Sequence, residues 1–363
     1  MGHIEIETLL DDFELFATNR QAKYGTLLAF SITNSCPLKC AHCIVNANSS
    51  NDKLSSDDFH RCLVQLSNLS NIITQISVTG GEPFYVPQKL KVFSDFCSDQ
   101  NIRLGVVTSA HWAADFIEAI DTMKMYPGIS HYSISTDKHH LRFVPIANIK
   151  NAYFAAKQLN KKVVIRITGE SELSVKQDDN LRDIYDFVTD EKEVVFQRLL
   201  PFGRAKKSCK KRFQYTKEPP LMPCFSNAPV IRENGFVGPC CGAIISLNGQ
   251  HPMVLGNVLD DDLPSILSRT KSNWLFNYIR LWGLHDFIEI IKESELRNKL
   301  SERYLEGDDV CTTCCELFAD KEIANFLENM SKTLAFRLKV AVGINDFLHD
   351  DRPLSLLREL YGL

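Results

Sequence analysis

The chain has 363 residues, which is too long for one compact core and suits a large domain with a smaller appendage. Hydrophobic residues make up 44%, and the formal net charge of -4 gives no broad basic field, which argues against nucleic acid as a partner. No segment reaches the roughly 18 apolar residues of a membrane span, and the acidic, amphipathic start differs from a signal peptide, so we expect a cytoplasmic protein without a membrane partner.

A helical extension is predicted over residues 1–24, followed by short apolar runs that alternate with helical patterns. These runs are LLAFSIT (27–33), ITQISVT (73–79), IRLGVVT (102–108), HYSIST (131–136), KVVIRIT (162–168) and EVVFQRLL (193–200). Each run is too short for a helix and is bounded by turn or capping residues, as a buried parallel strand should be. Six strand–helix repeats predict a parallel α/β fold, and an open sheet and a partial barrel both fit this count.

The pattern changes near residue 205. Residues 205–320 are predicted to form a second, cysteine-rich domain, and residues 321–363 a C-terminal helical segment. The stretch Arg204–Arg212 (RAKKSCKKR) is locally basic, and we interpret it as a solvated surface loop that could contact an acidic ligand or peptide.

Twelve cysteines in a cytoplasmic chain point to metal rather than to disulfides. Cys36, Cys40 and Cys43 directly follow the first predicted strand, where α/β proteins place their chemistry. Three thiolates at this spacing can hold a corner of an iron–sulfur cube and leave the fourth iron open for a cofactor. A zinc site is the alternative, although zinc prefers four ligands in paired arms.

The second predicted strand ends in Thr79-Gly80-Gly81-Glu82-Pro83, a turn that lets backbone approach a ligand closely. A C-x3-C-x2-C loop on the first strand together with GGEP on the second resembles the radical S-adenosylmethionine (SAM) superfamily. The resemblance covers roughly residues 25–204 and implies a partial (β/α)6 barrel. It also implies one 4Fe–4S cluster whose open iron binds SAM.

The resemblance assigns roles to particular residues of this chain. Cys36, Cys40 and Cys43 would hold the cluster. The residues expected to bind the cofactor are His42, Gly80, Gly81, Glu82, Ser135, Asp137 and Arg166. Arg166 would face the SAM carboxylate; a structural ion pair between Arg166 and Asp137 is the alternative. For His139 and His140 we expect capping or surface roles.

A second set of cysteines comes from two distant arms. Cys224, Cys240, Cys311 and Cys314 supply four thiolates, which would saturate either a cluster or a zinc ion. The Cys-x10-Gly-x4-Cys spacing resembles the auxiliary-cluster domains called SPASM and twitch, and the absence of a full seven-cysteine set implies the shorter twitch type with one auxiliary 4Fe–4S cluster. Which member of the doublets Cys240/Cys241 and Cys314/Cys315 is the ligand stays open.

The resemblance implies reductive cleavage of SAM to a 5′-deoxyadenosyl radical that abstracts a substrate hydrogen. A closed auxiliary cluster favours a net oxidation, such as a crosslink in a ribosomally synthesised peptide. The alternatives are oxidation of a small alcohol or aminosugar, and peptide epimerisation with Cys209 as the hydrogen donor. An electron donor such as flavodoxin or ferredoxin is the expected protein partner.

Overall fold

The computed structural model of the protein describes residues 26–48, 54–224, 226, 228–240, 242–247, 251–307 and 309–362. Two features that the sequence analysis singled out are not among these residues. The helical extension predicted over residues 1–24 and the thiol of Cys241 lie outside the described residues.

Six parallel strands in chain order form the centre of the fold. Each pairs with the next along the chain, so sequence neighbours are also neighbours in the sheet. The strands are β1 (Leu27–Thr33), β2 (Gln75–Gly80), β3 (Arg103–Thr108), β4 (Ile129–Thr136), β5 (Lys162–Gly169) and β6 (Val194–Arg198). The connecting helices are α1 (Ser56–Ser67), α2 (Pro87–Asp99), α3 (Phe116–Lys124), α4 (Ile146–Gln158), α5 (Glu172–Lys176) and α6 (Asp179–Phe187). This confirms the α/β fold class and is consistent with a partial barrel.

Local sequence explains these elements. In β1, six of seven residues are buried, as the uninterrupted apolar run predicts for a strand covered on both faces. Helix α1 begins after Ser55, whose side chain accepts a hydrogen bond from the Asp58 N–H while the Asp58 carboxylate accepts one from the Ser55 N–H. Its buried residues recur at helical spacing and place one face of the helix against the core: Phe59, Cys62, Leu63 and Leu66.

The chain beyond the predicted boundary at residue 205 extends the same sheet. Strand β8 (Val230–Ile231) pairs in parallel with β1 on the edge opposite β2, and the antiparallel strands β9 (Phe236–Gly238) and β10 (Gly256–Asn257) continue outward. Two short strands, β7 (Tyr215–Thr216) and β11 (Tyr304–Leu305), pair with each other separately. Residues from the predicted second domain therefore reach the first strand, beside the cysteine loop.

The C-terminal part is helical, as predicted. It follows the short helix α7 (Ala205–Ser208) and comprises α8 (Leu263–Ser272), α9 (Trp274–Trp282), α10 (His285–Lys292), α11 (Val310–Ala319), α12 (Lys321–Ser331), α13 (Leu334–Leu348) and α14 (Arg352–Tyr361). A hydrophobic core distinct from that of the sheet joins α9 to α13, and Cys240 and Cys315 are buried in it, whereas Leu263 and Ile266 of α8 belong to the core of the sheet. The Cys311–Cys315 stretch lies within helix α11. Among the described residues, no helix combines the length and apolarity that crossing a membrane requires.

Candidate cofactor-binding site

The first cysteine group lies on the loop that follows β1. The Leu38 N–H donates to the Cys36 sulfur at 3.4 Å, and the Ala47 N–H donates to the Cys43 sulfur at 3.3 Å. Burial raises the pKa of Cys36 to about 12, and the negative fields of Cys40 and Cys43 add to that rise, against the opposing effect of the Leu38 N–H. Three crowded thiols, two of them with a backbone donor on the sulfur, form a donor set that a cationic cluster would stabilise as thiolates. The residues present therefore fit the group that the sequence predicts.

The glycine turn after β2 packs directly on this loop. A Cβ on Gly80, whose φ is +127°, would lie 2.1 Å from the Thr33 carbonyl oxygen, and one on Gly81 would lie 2.1 Å from that of Ser35. The Gly81 N–H donates to the Thr33 carbonyl at 2.7 Å, and the Glu82 N–H donates to that of Ser35 at 2.9 Å. Because Gly80 and Gly81 lack side chains, the glycine turn can contact the backbone of the cysteine loop. The spacing of the motif alone did not reveal this reason for the two glycines.

The Glu82 side chain ties the glycine turn to the end of β3. Its buried carboxylate accepts hydrogen bonds from the Thr108 hydroxyl at 2.8 Å, from the Ser109 N–H and hydroxyl at 2.8 and 2.6 Å, and from the Phe84 N–H at 3.2 Å. Burial raises the pKa of Glu82, but the His111 ring, 3.7 Å away, and the hydrogen bonds from Ser109 together outweigh burial and hold that pKa below its usual value. Because the carboxylate is satisfied by protein donors, the turn offers a ligand its backbone rather than this side chain.

A cavity of about 410 Å³ opens at the carboxyl ends of β1 to β6. It brings together nine of the residues predicted from the sequence: Cys36, Cys40, His42, Cys43, Gly80, Gly81, Glu82, Ser135 and Arg166. Ser135 lies at the end of β4 and Arg166 on β5, where the Arg166 Nε donates to the Ser133 hydroxyl at 3.3 Å. One cavity therefore joins the three thiols, the glycine turn and a guanidinium.

Asp137 lies behind this cavity wall, fully buried among histidines. Its carboxylate contacts the His42 Nε2 at 3.1 Å and the His140 Nδ1 at 2.8 Å, and it accepts from the His139 N–H at 2.7 Å. Burial lowers the pKa of His140, but the charge and hydrogen bond of Asp137, together with the nearby Cys40, outweigh burial and raise that pKa to about 10. One ligand atom each of Cys40, His42 and His140 lies within 4.8 Å of the others.

Two expectations change at this cluster. Asp137 pairs with the histidines, and the alternative ion pair with Arg166 does not form. His139 and His140 are not surface residues: His139 is 7% exposed, and His140 lines the cavity. The reason is that the loop of residues 34–48 folds over the end of β4 and covers them, a long-range contact that local sequence does not encode.

The cysteines of the second group, which come from two distant parts of the chain, also lie near one another. The Cys240 and Cys311 sulfurs each lie 3.6 Å from the point where a Cβ on Gly242 would stand. Burial raises the pKa of Cys314 well above its usual value, and the charges of Cys315, Cys240, Cys224 and Cys311 raise it further. Three predicted thiols from two distant arms therefore lie near the fourth, Cys314, and four thiolates are the donor set of either a closed cluster or zinc.

Cys315, the second member of the helix α11 doublet, lies beside a second cavity. Cys315 is buried and hydrogen-bonded to Ser246, and it lines a second, larger cavity of about 760 Å³. This outer cavity adjoins the first, and the two share Ile44, Val45, Arg232, Glu233 and Ile245 in their walls. Its other polar lining residues are Asn34, Asn46, Asn48, Lys206, Asn234, Ser246 and Glu316. Two adjacent cavities thus lie between the first cysteine loop and helix α11.

Cys209, the predicted hydrogen donor, lies elsewhere. It is buried with Leu199 and Ala205, and its sulfur is 4.0 Å from the His139 Nε2. It lines neither cavity, so its role as a hydrogen donor stays a prediction without support from its position.

Two further residues lie at the site although the sequence did not place them there: Arg204 was expected in a solvated surface loop, and no role was predicted for Glu233. Arg204 clamps the first cysteine loop: its Nε donates to the Cys40 carbonyl at 2.9 Å, and its backbone N–H donates to the Cys43 carbonyl at 2.9 Å. Glu233, on the turn after β8, is a buried carboxylate that accepts from the Ser31 hydroxyl at 3.1 Å and lines both cavities. Neither could be found from local patterns, because each meets its partners across more than 150 residues of chain.

The parallel strands, with three thiols and a glycine turn at their carboxyl ends, define an α/β protein with a thiol-lined cofactor cavity. Residues 30–181 match the family model described as the Radical SAM superfamily. This stretch is a radical SAM superfamily domain, which implies a 4Fe–4S cluster and SAM as cofactors.

Three solved structures show a weak similarity to this chain, each with a TM-score below 0.5. anSMEcpe with bound AdoMet and Cp18Cys peptide is 12% identical, with a TM-score of 0.49 over 92% of this chain and 99% of that chain. Streptococcus suis SuiB bound to S-adenosylmethionine is 19% identical, with a TM-score of 0.45 over 77% and 74%. BtrN in complex with AdoMet and 2-DOIA is 15% identical, with a TM-score of 0.43 over 70% and 87%. No curated protein sequence matches the chain.

Proposed function

We propose that Cys36, Cys40 and Cys43 hold a 4Fe–4S cluster that binds SAM and reductively cleaves it to a 5′-deoxyadenosyl radical. The observation that carries this proposal is the single cavity lined by the three thiols, the glycine turn and Arg166. A reduced cluster there would supply the electron that breaks the C–S bond of the sulfonium.

The chain's own residues would bind and orient SAM. The backbone of Gly80 and Gly81 accepts the ammonium group, with Glu82 fixing the turn from behind. Arg166 pairs with the carboxylate, because a guanidinium recognises carboxylates with two parallel hydrogen bonds. Ser135 contacts the ribose, and His42 lies against the adenine, oriented by its bond to Asp137.

Cys224, Cys240, Cys311 and Cys314 would hold one auxiliary 4Fe–4S cluster, in a twitch-type domain spanning residues 205–320. Support comes from their common surroundings around Cys314. A cluster closed by four thiolates supplies a one-electron acceptor for a substrate radical. This favours a net two-electron oxidation.

The substrate would occupy the outer cavity, between the two cysteine groups. Its volume of about 760 Å³ is within the range of small-molecule pockets, and its wall has asparagines at positions 34, 46, 48 and 234. Carboxamides both donate and accept hydrogen bonds, as a peptide backbone requires of its partner. We therefore propose that a ribosomally synthesised peptide is oxidised here, for example by forming a crosslink.

Anaerobically reconstituted protein, incubated with SAM, a reductant and a candidate precursor peptide, tests this function by mass spectrometry of both products. We expect 5′-deoxyadenosine together with peptide that has lost two hydrogens. Peptide of unchanged mass that gains one deuterium from heavy water would show epimerisation and contradict the oxidation. Oxidised aminosugar in a parallel incubation, with unaltered peptide, would contradict the peptide substrate.

A further inference from the structure

One segment of the chain is strongly basic, and most of its lysines lie outside both cavities described above. Residues 194–217 contain no Asp or Glu and eight basic residues: Arg198, Arg204, Lys206, Lys207, Lys210, Lys211, Arg212 and Lys217. Lys206, Lys207, Lys210 and Lys211, here called the basic patch, are all exposed. None of the four forms an ion pair with another described residue. Nine lysines elsewhere do form such pairs: Lys91, Lys124, Lys138, Lys157, Lys176, Lys292, Lys299, Lys332 and Lys339.

The basic patch is held against the first cysteine loop. Arg204, two residues before it, bonds to the Cys40 and Cys43 carbonyls. The Lys207 and Ser208 N–H groups donate to the Arg204 carbonyl at 3.1 and 2.9 Å, so helix α7 starts on that anchor.

The far end of the patch is fixed as well. Arg212 contacts the Glu170 carboxylate at 2.6 Å, and Lys138 contacts the same carboxylate at 2.8 Å. Both ends of the lysine stretch are thus tied to the barrel mouth. The four lysines therefore lie on a segment tied to the cysteine loop at one end and to Glu170 at the other, although the chain as a whole carries a net charge of -4.

We propose that the basic patch is the docking surface for an acidic one-electron carrier protein of the flavodoxin class. The inference rests on the proposed function, since it places the donor of the electron that a cluster at Cys36, Cys40 and Cys43 requires. In the step itself, the flavin of the carrier loses one electron, the cluster gains it, and no bond forms. The carrier must approach that cluster closely, and the patch is a charged surface joined directly to its loop.

The position of the lysines favours an electron carrier over an acidic substrate peptide. Only Lys206 lines the outer cavity; Lys207, Lys210 and Lys211 lie outside both cavities. Unpaired lysines in a cluster raise the association rate of an acidic partner by long-range attraction, and this attraction weakens with salt.

The test compares two reconstituted holoenzyme variants with equal loss of charge. The first is Lys206→Gln/Lys207→Gln/Lys210→Gln/Lys211→Gln, and the matched control is Lys91→Gln/Lys124→Gln/Lys176→Gln/Lys332→Gln on other faces. Stopped-flow absorbance follows reduction of the cluster by flavodoxin hydroquinone across a salt series, and calorimetry measures flavodoxin binding. Dithionite serves as the small reductant that needs no docking surface.

We expect the patch variant to be reduced by flavodoxin at least 10-fold more slowly at low salt, with a flattened salt dependence and weaker flavodoxin binding. The control variant should keep the wild-type rate, and dithionite should reduce all three proteins equally. Equal flavodoxin rates in the wild type and the patch variant would overturn the proposal and leave the patch to another acidic partner. An equal loss of flavodoxin rate in the patch and control variants would also overturn it, as would a wild-type rate that does not depend on salt. If dithionite produces no SAM cleavage in any protein, the proposed function fails instead.

Discussion

Replacing Gly81 by Ala tests whether the glycine turn exists for contact with the cysteine loop. The new Cβ would lie 2.1 Å from the Ser35 carbonyl oxygen, while real Cβ contacts stay above 3.0 Å, so the two segments must separate by about 0.9 Å. The hydrogen bonds from Gly81 to Thr33 and from Glu82 to Ser35, now 2.7 and 2.9 Å, would lengthen beyond the hydrogen-bond range. At roughly 0.5–1.5 kcal/mol each, their loss should destabilise the protein by about 1–3 kcal/mol.

The assay measures the free energy of unfolding in urea and the rate at which an iron chelator removes iron from the reconstituted protein. Cys36 follows Ser35 directly, so the Gly81→Ala variant should lose iron faster than the wild type. Gly105→Ala is the matched control, because its Cβ would meet its nearest neighbour at an ordinary 3.6 Å. Wild-type stability and iron retention in Gly81→Ala, with only SAM affinity reduced, would refute the reasoning and show that the glycine serves the cofactor alone.

Changing Cys311 and Cys314 to Ala should halve the iron content from eight to four per chain, as measured by iron analysis of the reconstituted protein, and SAM cleavage should continue; loss of all iron would contradict two independent sites. Arg204→Gln removes the clamp on the Cys40 carbonyl, so the chelator should extract iron several-fold faster, whereas unchanged extraction would show that the loop holds itself. Glu170 has a pKa of about 2, because bonds from two cationic partners outweigh the rise that burial causes. The stabilisation it provides, about 1 kcal/mol or less, is therefore complete above its ordinary pKa near 4.5 and is lost as the pH falls towards 2. Thermal unfolding should show Glu170→Gln below the wild type at pH 6, with the difference shrinking from pH 4.5 downward; a difference that grows in acid would contradict this sign.

The barrel strands were predictable because each is a buried apolar run with clear ends. The run at residues 27–33 coincides with β1 (Leu27–Thr33), and that at 162–168 falls one residue short of β5 (Lys162–Gly169). The first site was equally predictable, since parallel strands bring the loops after β1 and β2 to one edge of the sheet. Chain order then places the three thiols beside the glycine turn.

Contacts over long sequence separations escaped prediction. Strands β8 to β10 have two or three residues each, too few for any periodicity, yet they extend the sheet at β1 and bring Glu233 to the cavity. The burial of His140 depends on a loop about 100 residues earlier in the chain, so its local sequence resembled a surface turn. Cys209 is the opposite case. Its position just beyond β6 suggested a hydrogen donor at the barrel mouth, whereas its side chain is buried against Leu199 and lines neither cavity.

The central claim, reductive cleavage of SAM by a cluster at Cys36, Cys40 and Cys43, is tested most directly by measuring 5′-deoxyadenosine. Reconstituted wild-type protein is incubated anaerobically with SAM and dithionite, and the product is quantified by liquid chromatography with mass spectrometry. We expect 5′-deoxyadenosine from the wild type and none above background from Cys36→Ala/Cys40→Ala/Cys43→Ala, which should retain its four other irons. A wild type that carries its full iron content and binds SAM, yet forms no 5′-deoxyadenosine, would contradict the claim.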